Sequence, residues 1–188
     1  MNSIELAEAV EVRTFRSHMS GDPRGRVEVR FRPLAPGDQV ALGDFFAANS
    51  SESACLRSAE NRDLSPWELA RYFCRVDGFN EYVLTGAIQE GEAERMVAFG
   101  RYFLDQDTEF ADLSFLVHRN YREMGIASHM AHRISDLIFS RRLAGMAADV
   151  PEDNLDMLRV FGEVLPPPDE NSTNAGRTSL RWYSPSTG

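Results

Sequence analysis

One segment in the middle of the chain constrains the fold more than any other. An apolar stretch ends at Val117, and a long amphipathic segment follows the pattern R-x-x-G-x-A that runs from Arg122 to Ala127. The first N–H groups of a helix lack intrahelical partners, and the helix dipole favours negative charge there. A glycine such as Gly125 lets a ligand approach the backbone. The segment therefore predicts a phosphate site for a nucleotide-type cofactor, unless Gly125 only begins a packed helix.

The residues after this glycine turn have the periodicity of an amphipathic helix. Apolar residues recur every three or four positions from Ala127 to Ile138, and polar residues fall between them. Arg141 and Arg142 close the segment, where cations suit the C-terminal carbonyls. The pattern predicts one helix that packs a single apolar stripe against the core.

The composition narrows the class of protein. A chain of 188 residues can form one domain, or one domain with an extension. The net charge of −9 argues against a nucleic-acid or membrane partner and suits a cationic substrate. No apolar run is long enough to span a membrane, and the N-terminus does not resemble a signal peptide. Cys55 and Cys74 indicate neither a disulfide framework nor a metal cluster, so we expect a cytoplasmic location.

Turn residues at 20–25 predict an N-terminal extension of uncertain structure, residues 1–26, ahead of a domain that spans 27–188. The predicted strands are 27–31, 82–88, 96–102, 108–117, 143–150 and 177–183. The predicted helices begin at Pro36, at the capping box of Ser65 and Glu68, after Gly125, and at Asp153. Residues 166–174 are expected to form a polar loop. This order predicts a mixed α/β sheet in which antiparallel hairpins precede one crossover unit.

This order of elements and the glycine turn resemble the GNAT superfamily of acyl-CoA-dependent N-acetyltransferases, over about residues 27–165. Several short segments resemble the acetyltransferase domain of Pat-type protein-lysine acetyltransferases: Phe45–Phe46, Ser50–Ser53, Leu56–Arg57, Leu64–Glu68, Val76–Asp77, Arg101–Tyr102 and Asn154–Arg159. The resemblance implies a mostly antiparallel central sheet, helices on both faces, and a splayed V between strands at an acetyl-CoA site. It also implies transfer of an acetyl group to a primary amine, either a protein lysine or a small-molecule amine.

The resemblance further implies which residues contact acetyl-CoA. The backbone of Leu116 and Val117 would pair with the acetyl carbonyl and the pantetheine amides. Asn154 would hydrogen-bond the pantetheine arm, and Met157 belongs to the same cofactor-binding set. The pyrophosphate would be surrounded by residues of the glycine turn: Arg122, Met124, Gly125, Ile126, Ala127 and Ser128.

Two acidic residues are candidates for the general base. An amine must lose a proton before it attacks, because free lysine has a pKa of about 10.4, and the Val117 N–H could donate to the developing oxyanion. Pat-like relatives have a glutamate where this chain has Asp112, which is one methylene shorter and would act through a water. Glu109 would point to the opposite face of a regular strand, unless a bulge reverses it. Alternatively, Asp112 forms a structural ion pair with an arginine such as Arg101.

Further features leave a second function open. Relatives carry a general-acid tyrosine in the last helix, where this chain has Phe161. With Asp112 in place of glutamate as well, the chain could be an acetyl-CoA-binding regulatory or sensor domain with weak or no catalysis. His129 and His132 lie on the solvent face of their predicted helix without ligand-spaced partners, so we expect no metal. We expect a monomer or a homodimer.

Overall fold

The computed structural model describes residues 3–16, 25–50 and 63–185. The segments that resemble the family at 51–53 and 56–57, and Cys55, lie outside these ranges. The described strands are β1 (Glu11–Arg16), β2 (Arg26–Pro33), β3 (Glu81–Glu90), β4 (Ala93–Leu104), β5 (Phe110–Val117), β6 (Gly145–Pro151), β7 (Glu170–Asn174) and β8 (Arg177–Tyr183). The described helices are α1 (Ser3–Glu8), α2 (Gln39–Ala48), α3 (Pro66–Phe73), α4 (Ile126–Ser140) and α5 (Leu155–Val164).

These strands form one sheet in the order β1-β2-β3-β4-β5-β6-β8-β7. Neighbouring strands pair antiparallel except β5 and β6, which are parallel. The helix between β5 and β6 is α4, as a parallel crossover requires. The mixed, mostly antiparallel α/β sheet expected from the sequence is therefore confirmed.

Helices cover the two faces of the central strands and create two apolar layers. The α4 layer contains the apolar stripe predicted for this helix, with Met130, Ile134 and Ile138 fully buried. The α2 and α3 layer lies on the opposite face, where Phe46, Phe73 and Phe99 pack in contact. Because both faces are covered, the middle of β3 and of β4 is buried without alternation.

The capping box predicted at α3 is present. The Glu68 backbone N–H donates to Ser65 Oγ at 3.3 Å, and the Ser65 backbone N–H donates to Glu68 Oε2 at 2.9 Å. Pro66 occupies the first helical position, where its missing N–H removes no helical hydrogen bond. The box fixes where α3 begins. Near the other end of this helix, the Tyr72 hydroxyl donates to Glu81, the first residue of β3.

The parallel pair of β5 and β6 opens into a V. Their register covers only Phe110 with Gly145, Ala111 with Met146, and Asp112 with Ala147. Beyond that point β5 stays paired with β4 as far as Val117, and β6 stays paired with β8 as far as Pro151. The two strands therefore diverge toward their C-terminal ends and leave a gap between them.

The described part of residues 1–26 belongs to the same sheet. Strand β1 pairs with β2 along its whole length, from Glu11 with Phe31 to Arg16 with Arg26. The segment before it is also attached, because the Tyr82 hydroxyl donates to the Ala7 carbonyl at 2.9 Å. The predicted extension thus supplies, in its described part, an edge strand of the domain's own sheet.

Two expectations about the C-terminal part are wrong. Residues 170–174 form strand β7 rather than part of a loop, and its five side chains are all exposed. A polar edge strand has no apolar alternation, so the sequence pattern could not reveal it. The last helix is capped by Asn154 instead of Asp153, because Asn154 Oδ1 accepts a hydrogen bond from the Met157 N–H at 3.3 Å.

Candidate functional site

The turn between β5 and α4 concentrates unpaired backbone donors. Gly125 is the N-cap of α4 and has a left-handed backbone with φ of 88°. The first hydrogen bond of α4 runs from the His129 N–H to the Gly125 carbonyl at 3.0 Å. The N–H groups of Ile126, Ala127 and Ser128 therefore lack helical acceptors, as the first turn of any helix does. Together with the helix dipole they form a local environment for an anion.

The space over this turn is open. Among the atoms of the described residues, a Cβ built on Gly125 would come within 4 Å of Phe15 Cδ1 alone, at 4.0 Å. The side chains of Met124 and Ile126 are buried in the α4 layer and hold the turn in place. Arg122 is exposed, and its Nε donates to the Val117 carbonyl at 3.1 Å, which ties the turn to the end of β5. The turn thus presents its backbone, rather than side chains, toward the open space.

The end of β5 borders the gap with one of its two backbone edges. The His118 N–H donates to the Val97 carbonyl of β4 at 2.8 Å. Because successive residues of an antiparallel strand direct their backbone groups to opposite sides, Leu116 also faces β4, and Val117 faces the gap. The two residues expected to act together therefore differ. Val117 offers its N–H to the gap, since its carbonyl accepts from Arg122 Nε, whereas Leu116 pairs with Phe99.

The same alternation brings in a residue that the sequence reasoning missed. Phe115 lies two positions before Val117, so its backbone also faces the gap beyond the last β5–β6 pair. Its side chain packs in the α4 layer, 6.0 Å from the ring of Phe161. Only the knowledge of which side pairs with β4 could have identified it.

The N-terminus of α5 lies at the same end of the sheet as the glycine turn. Strands β5 and β6 are parallel, so α4 and α5, which follow them, both begin at the carboxyl edge, where open α/β sheets bind ligands. Asn154 is exposed and uses its Oδ1 as the helix cap. Met157 is partly buried against the α4 layer. The structure thus brings Asn154 and the glycine turn to one edge.

Asp112 lies at the closed end of the V, in the last residue pair before β5 and β6 separate. It is exposed, and within residues 3–16, 25–50 and 63–185 it forms no hydrogen bond or ion pair. Partial desolvation raises the pKa of its carboxyl above the usual value, and the nearby charge of Asp105 adds to the rise. The carboxylate is available for a proton instead of serving as one half of a salt bridge.

The ion pair of Asp112 with Arg101 is not formed. Arg101 instead donates to Glu81 Oε1 at 2.5 Å, and Glu81 also accepts from the Tyr72 hydroxyl at 3.1 Å. The Arg101 guanidinium lies over the ring of Phe73, 5.1 Å from its centre. Desolvation raises the pKa of the Glu81 carboxyl, and Arg101 opposes this rise. Arg101 influences Asp112 only as a nearby positive charge, which opposes the rise of its pKa.

Glu109 does not lie on the strand, so the expectation about its face, which assumed a regular strand through this residue, does not apply. Strand β5 begins at Phe110, and Glu109 precedes it with a positive φ of 58°. Its backbone N–H donates to the Asp105 carbonyl at 2.8 Å, and its carbonyl accepts from the Ala144 N–H at 3.2 Å. The Asp105 carboxylate accepts from the Asp107 N–H at 2.8 Å and shapes this turn. Glu109 is therefore an exposed turn residue outside the V.

A groove of about 590 Å³ runs beside α3 on the face of the sheet that carries Asp112. Its lining includes Arg71 and Tyr72 of α3, the loop residue Asp77, and Glu81 and Phe103 of the strands. Phe103 is the cross-strand partner of Asp112. The groove lies outside the V, and Phe103 is the residue of its lining that neighbours Asp112 in the sheet.

The remaining predicted features concern Phe161, the histidines of α4, metal binding and membrane-spanning segments. Phe161 is buried against the ring of Trp182, 5.6 Å between centres, and carries no hydroxyl. Within the described residues, no three histidine, cysteine or acidic side chains come together to hold a metal ion. His132 contacts Asp136 at 3.0 Å on the exposed side of α4, but the solvent-exposed position expected for His129 is wrong, because its ring packs 4.6 Å from that of Phe31. None of the described helices combines the length and apolar character needed to cross a bilayer.

A glycine turn with free amides and a V-shaped gap lie at one edge of a mixed sheet and together form a site for a ligand with a phosphate group and an extended arm. The family model described as "Acetyltransferase (GNAT) family" matches residues 48–165, more than half of the chain. The protein therefore belongs to the GNAT family of acetyltransferases. No curated protein matches the sequence.

Solved structures share this fold at low sequence identity. The GNAT domain of PAT from S. lividans is 20% identical, with a TM-score of 0.65 over 83% of this chain and 90% of that one. The ribosomal-protein-S5-alanine acetyltransferase from Vibrio fischeri is 12% identical, with a TM-score of 0.63 over 81% and 90%. The structure of yncA from Salmonella typhimurium with its cofactor acetyl-CoA is 13% identical, with a TM-score of 0.63 over 85% and 96%.

Family membership makes the protein an acyltransferase, and acetyl-CoA is its acyl donor. The chain fits this donor in two independent places. The open space over Gly125 and the free first-turn amides suit a diphosphate. The outward backbone of Val117 suits an extended arm with amide groups, because strand edges bind such chains through main-chain hydrogen bonds.

Proposed function

We propose that the protein transfers the acetyl group of acetyl-CoA directly to a primary amine, and that this amine is the side chain of a protein lysine. The observation that carries the proposal is the V itself, with the Val117 backbone facing the gap and an unpaired carboxylate, Asp112, at its closed end. The net charge of −9 adds an attraction for a cationic acceptor.

In this proposal the cofactor is held mainly by backbone groups. The turn from Arg122 to Ser128 surrounds the diphosphate, and Gly125 allows close approach because no Cβ stands between the ligand and the amides. The pantetheine arm lies in the gap beside Val117 and reaches the Asn154 amide, whose nitrogen is not used by the helix cap. Met157 packs at the base of this arm.

The chemistry requires a neutral amine and a stabilised oxyanion. Acetyl-CoA supplies the acetyl group as a thioester. Asp112 accepts the proton of the incoming ammonium, through a bridging water because the aspartate side chain is short. The Val117 N–H donates to the carbonyl oxygen as negative charge develops there. As the C–S bond breaks, the nitrogen loses its second proton; Phe161 cannot donate a proton, so water relays this second amine proton to the departing thiolate.

The acceptor reaches the site along the groove beside α3. Asp77 and Glu81 contribute negative charge to its lining, and Phe103 and Tyr72 contribute apolar surface for the methylene chain of a lysine. Arg71 and Arg75 also line the groove and oppose this attraction, as does the pairing of Glu81 with Arg101. A peptide that lies along α3 would direct its lysine toward Phe103 and hence toward Asp112.

An acceptor screen tests the proposal. Transfer from labelled acetyl-CoA would be measured for lysine peptides, for the same peptides with blocked lysines, for peptides with a free N-terminus only, and for polyamines. We expect transfer to the lysine ε-amine that is lost when the lysine is blocked. Transfer confined to polyamines would replace the protein lysine with a small-molecule acceptor. Binding of acetyl-CoA without transfer to any amine would contradict the proposed reaction.

A further inference from the structure

The N-terminal strand reaches the glycine turn. Of all described atoms, Cδ1 of Phe15 is the one that a Cβ on Gly125 would approach, at 4.0 Å. Phe15 lies on β1, outside the segment from 48 to 165 that matches the family model. A strand that the family pattern does not include therefore borders the space over the turn.

Several contacts fix the position of β1 along α4. The ring of Phe15 packs 5.8 Å from that of Phe31 and 6.0 Å from that of His129. Glu11 Oε2 lies 3.1 Å from His129 Nε2, although the ring nitrogen does not meet hydrogen-bond geometry. The Arg133 guanidinium donates to the Ala9 carbonyl at 2.8 Å. The strand thus runs antiparallel to α4, and its C-terminal end lies at the helix N-terminus.

The side of β1 that faces α4 carries groups that suit an anionic nucleotide. Residues at odd positions share this side because strand side chains alternate. Arg13 belongs to it, is largely exposed, and donates from Nε to Glu11 Oε1 at 2.5 Å. Phe15 is half-buried and offers the remaining ring surface toward the turn. Arg13 is therefore paired with Glu11 on this side, and the ring of Phe15 is the group that reaches the turn with the free amides.

We propose that β1 forms a wall of the site for the nucleotide half of acetyl-CoA, with Phe15 in contact with the diphosphate and ribose over Gly125. The inference rests on the proposed placement of the diphosphate at the glycine turn. A ligand that lies on the amides of Ile126 and Ala127 must occupy the open space, and Phe15 is the described side chain that bounds it.

A pair of opposite charges at one position tests this contact. Phe15→Glu and Phe15→Lys both remove the ring, so their effects on packing are similar, but they differ in charge beside the ligand. Thr14→Glu and Thr14→Lys are the matched controls, because Thr14 is exposed and points to the other side of β1. Calorimetry with CoA at low and high salt measures the affinities, and circular dichroism verifies folding.

We expect Phe15→Glu to bind CoA at least about tenfold more weakly than Phe15→Lys at low salt. The difference should shrink at high salt, and the Thr14 pair should agree within about twofold. Equal affinities for the two Phe15 variants would overturn the contact while leaving the proposed function intact. A difference that salt does not reduce would indicate distortion of the turn and would overturn it as well. Failure of the unaltered protein to bind CoA would overturn both proposals.

Discussion

Asp112 is the residue on which the proposed chemistry depends. Its carboxylate lies at the closed end of the V and has no ion-pair partner in the described part of the chain. Asp112→Asn keeps the size of the side chain but cannot accept a proton. We expect turnover to fall at least about a hundredfold, since a positioned base contributes about a hundred- to ten-thousand-fold.

The affinity of the Asp112→Asn variant for acetyl-CoA should stay unchanged, because the proposed cofactor contacts lie further along β5 and on the turn. Glu109→Gln is the matched control, since Glu109 is an exposed carboxylate three residues earlier that lies outside the V. Steady-state rates and calorimetry measure the two effects. A loss of rate in Glu109→Gln together with full activity in Asp112→Asn would show that Glu109, and not Asp112, is the base.

The raised pKa of Asp112 also predicts an effect on stability. A carboxyl whose pKa is higher in the folded than in the unfolded state destabilises the fold once it ionises. This cost is absent below the unfolded pKa of about 3.9, develops as pH rises through the folded pKa, and then stays constant. We expect Asp112→Asn to be more stable than the unaltered protein at pH 7.

Urea unfolding at a series of pH values measures this difference. The gain from Asp112→Asn should disappear as the pH falls below the unfolded pKa, because the native carboxyl is then neutral too. A stability gain that persists unchanged at low pH would have another cause. A loss of stability at pH 7 would mean that the ionised carboxylate is held by a favourable contact.

At the scale of elements, the turn before α4 has two separable requirements: a positive φ and an open space over the amides. Gly125→Ala adds a Cβ that conflicts with both requirements. Gly176→Ala, in the β7–β8 turn, also adds a Cβ at a positive φ, of 76°, but no atom of the described residues lies within 4 Å of it. Each change should cost about 1–2 kcal/mol of stability, because a Cβ is disfavoured in the left-handed region. Only Gly125→Ala should weaken acetyl-CoA binding as well.

Calorimetry with acetyl-CoA and urea unfolding of both glycine variants test this prediction. The Gly176 variant reports the cost of backbone strain alone, since its turn lies at the end of the exposed edge hairpin. Equal affinities for the two variants would show that the space over Gly125 is not used by the ligand. Unequal losses of stability in the two variants would show that the turn before α4 and the β7–β8 turn differ in how well they tolerate a Cβ at positive φ.

At the scale of the whole molecule, the N-terminal segment joins the sheet to α4. Removal of residues 1–16 would expose the edge of β2 and the buried ring of Phe31. It would also remove the acceptors of Tyr82 and Arg133, and a hydrogen bond of this kind contributes about 0.5–1.5 kcal/mol net. We expect the truncated chain to lose several kcal/mol of unfolding free energy.

Denaturant unfolding of the truncated and full chains measures this loss. Equal stability after removal of residues 1–16 would mean that the segment only rests on a domain that is complete without it. The folded domain would then begin after residue 26, as the sequence predicts.

Local features of this protein followed from local sequence. The glycine turn, the apolar stripe of α4 and the capping box at Ser65 depend on backbone preferences and on contacts within a few residues, so the sequence alone determined them. The parallel crossover and the antiparallel hairpins also followed, because short connections and alternation leave few other arrangements.

What only the tertiary structure decided are the relations between distant segments. Alternation shows that Leu116 and Val117 face opposite ways, but the pairing with β4 decides that Val117 faces the gap. Arg101 could pair with Asp112 or Glu81, and the packing of α3 decides for Glu81. Strand β7 and the approach of Phe15 to Gly125 leave no local pattern. Such relations depend on which elements pack together, and the free energy of that packing is a property of the whole core.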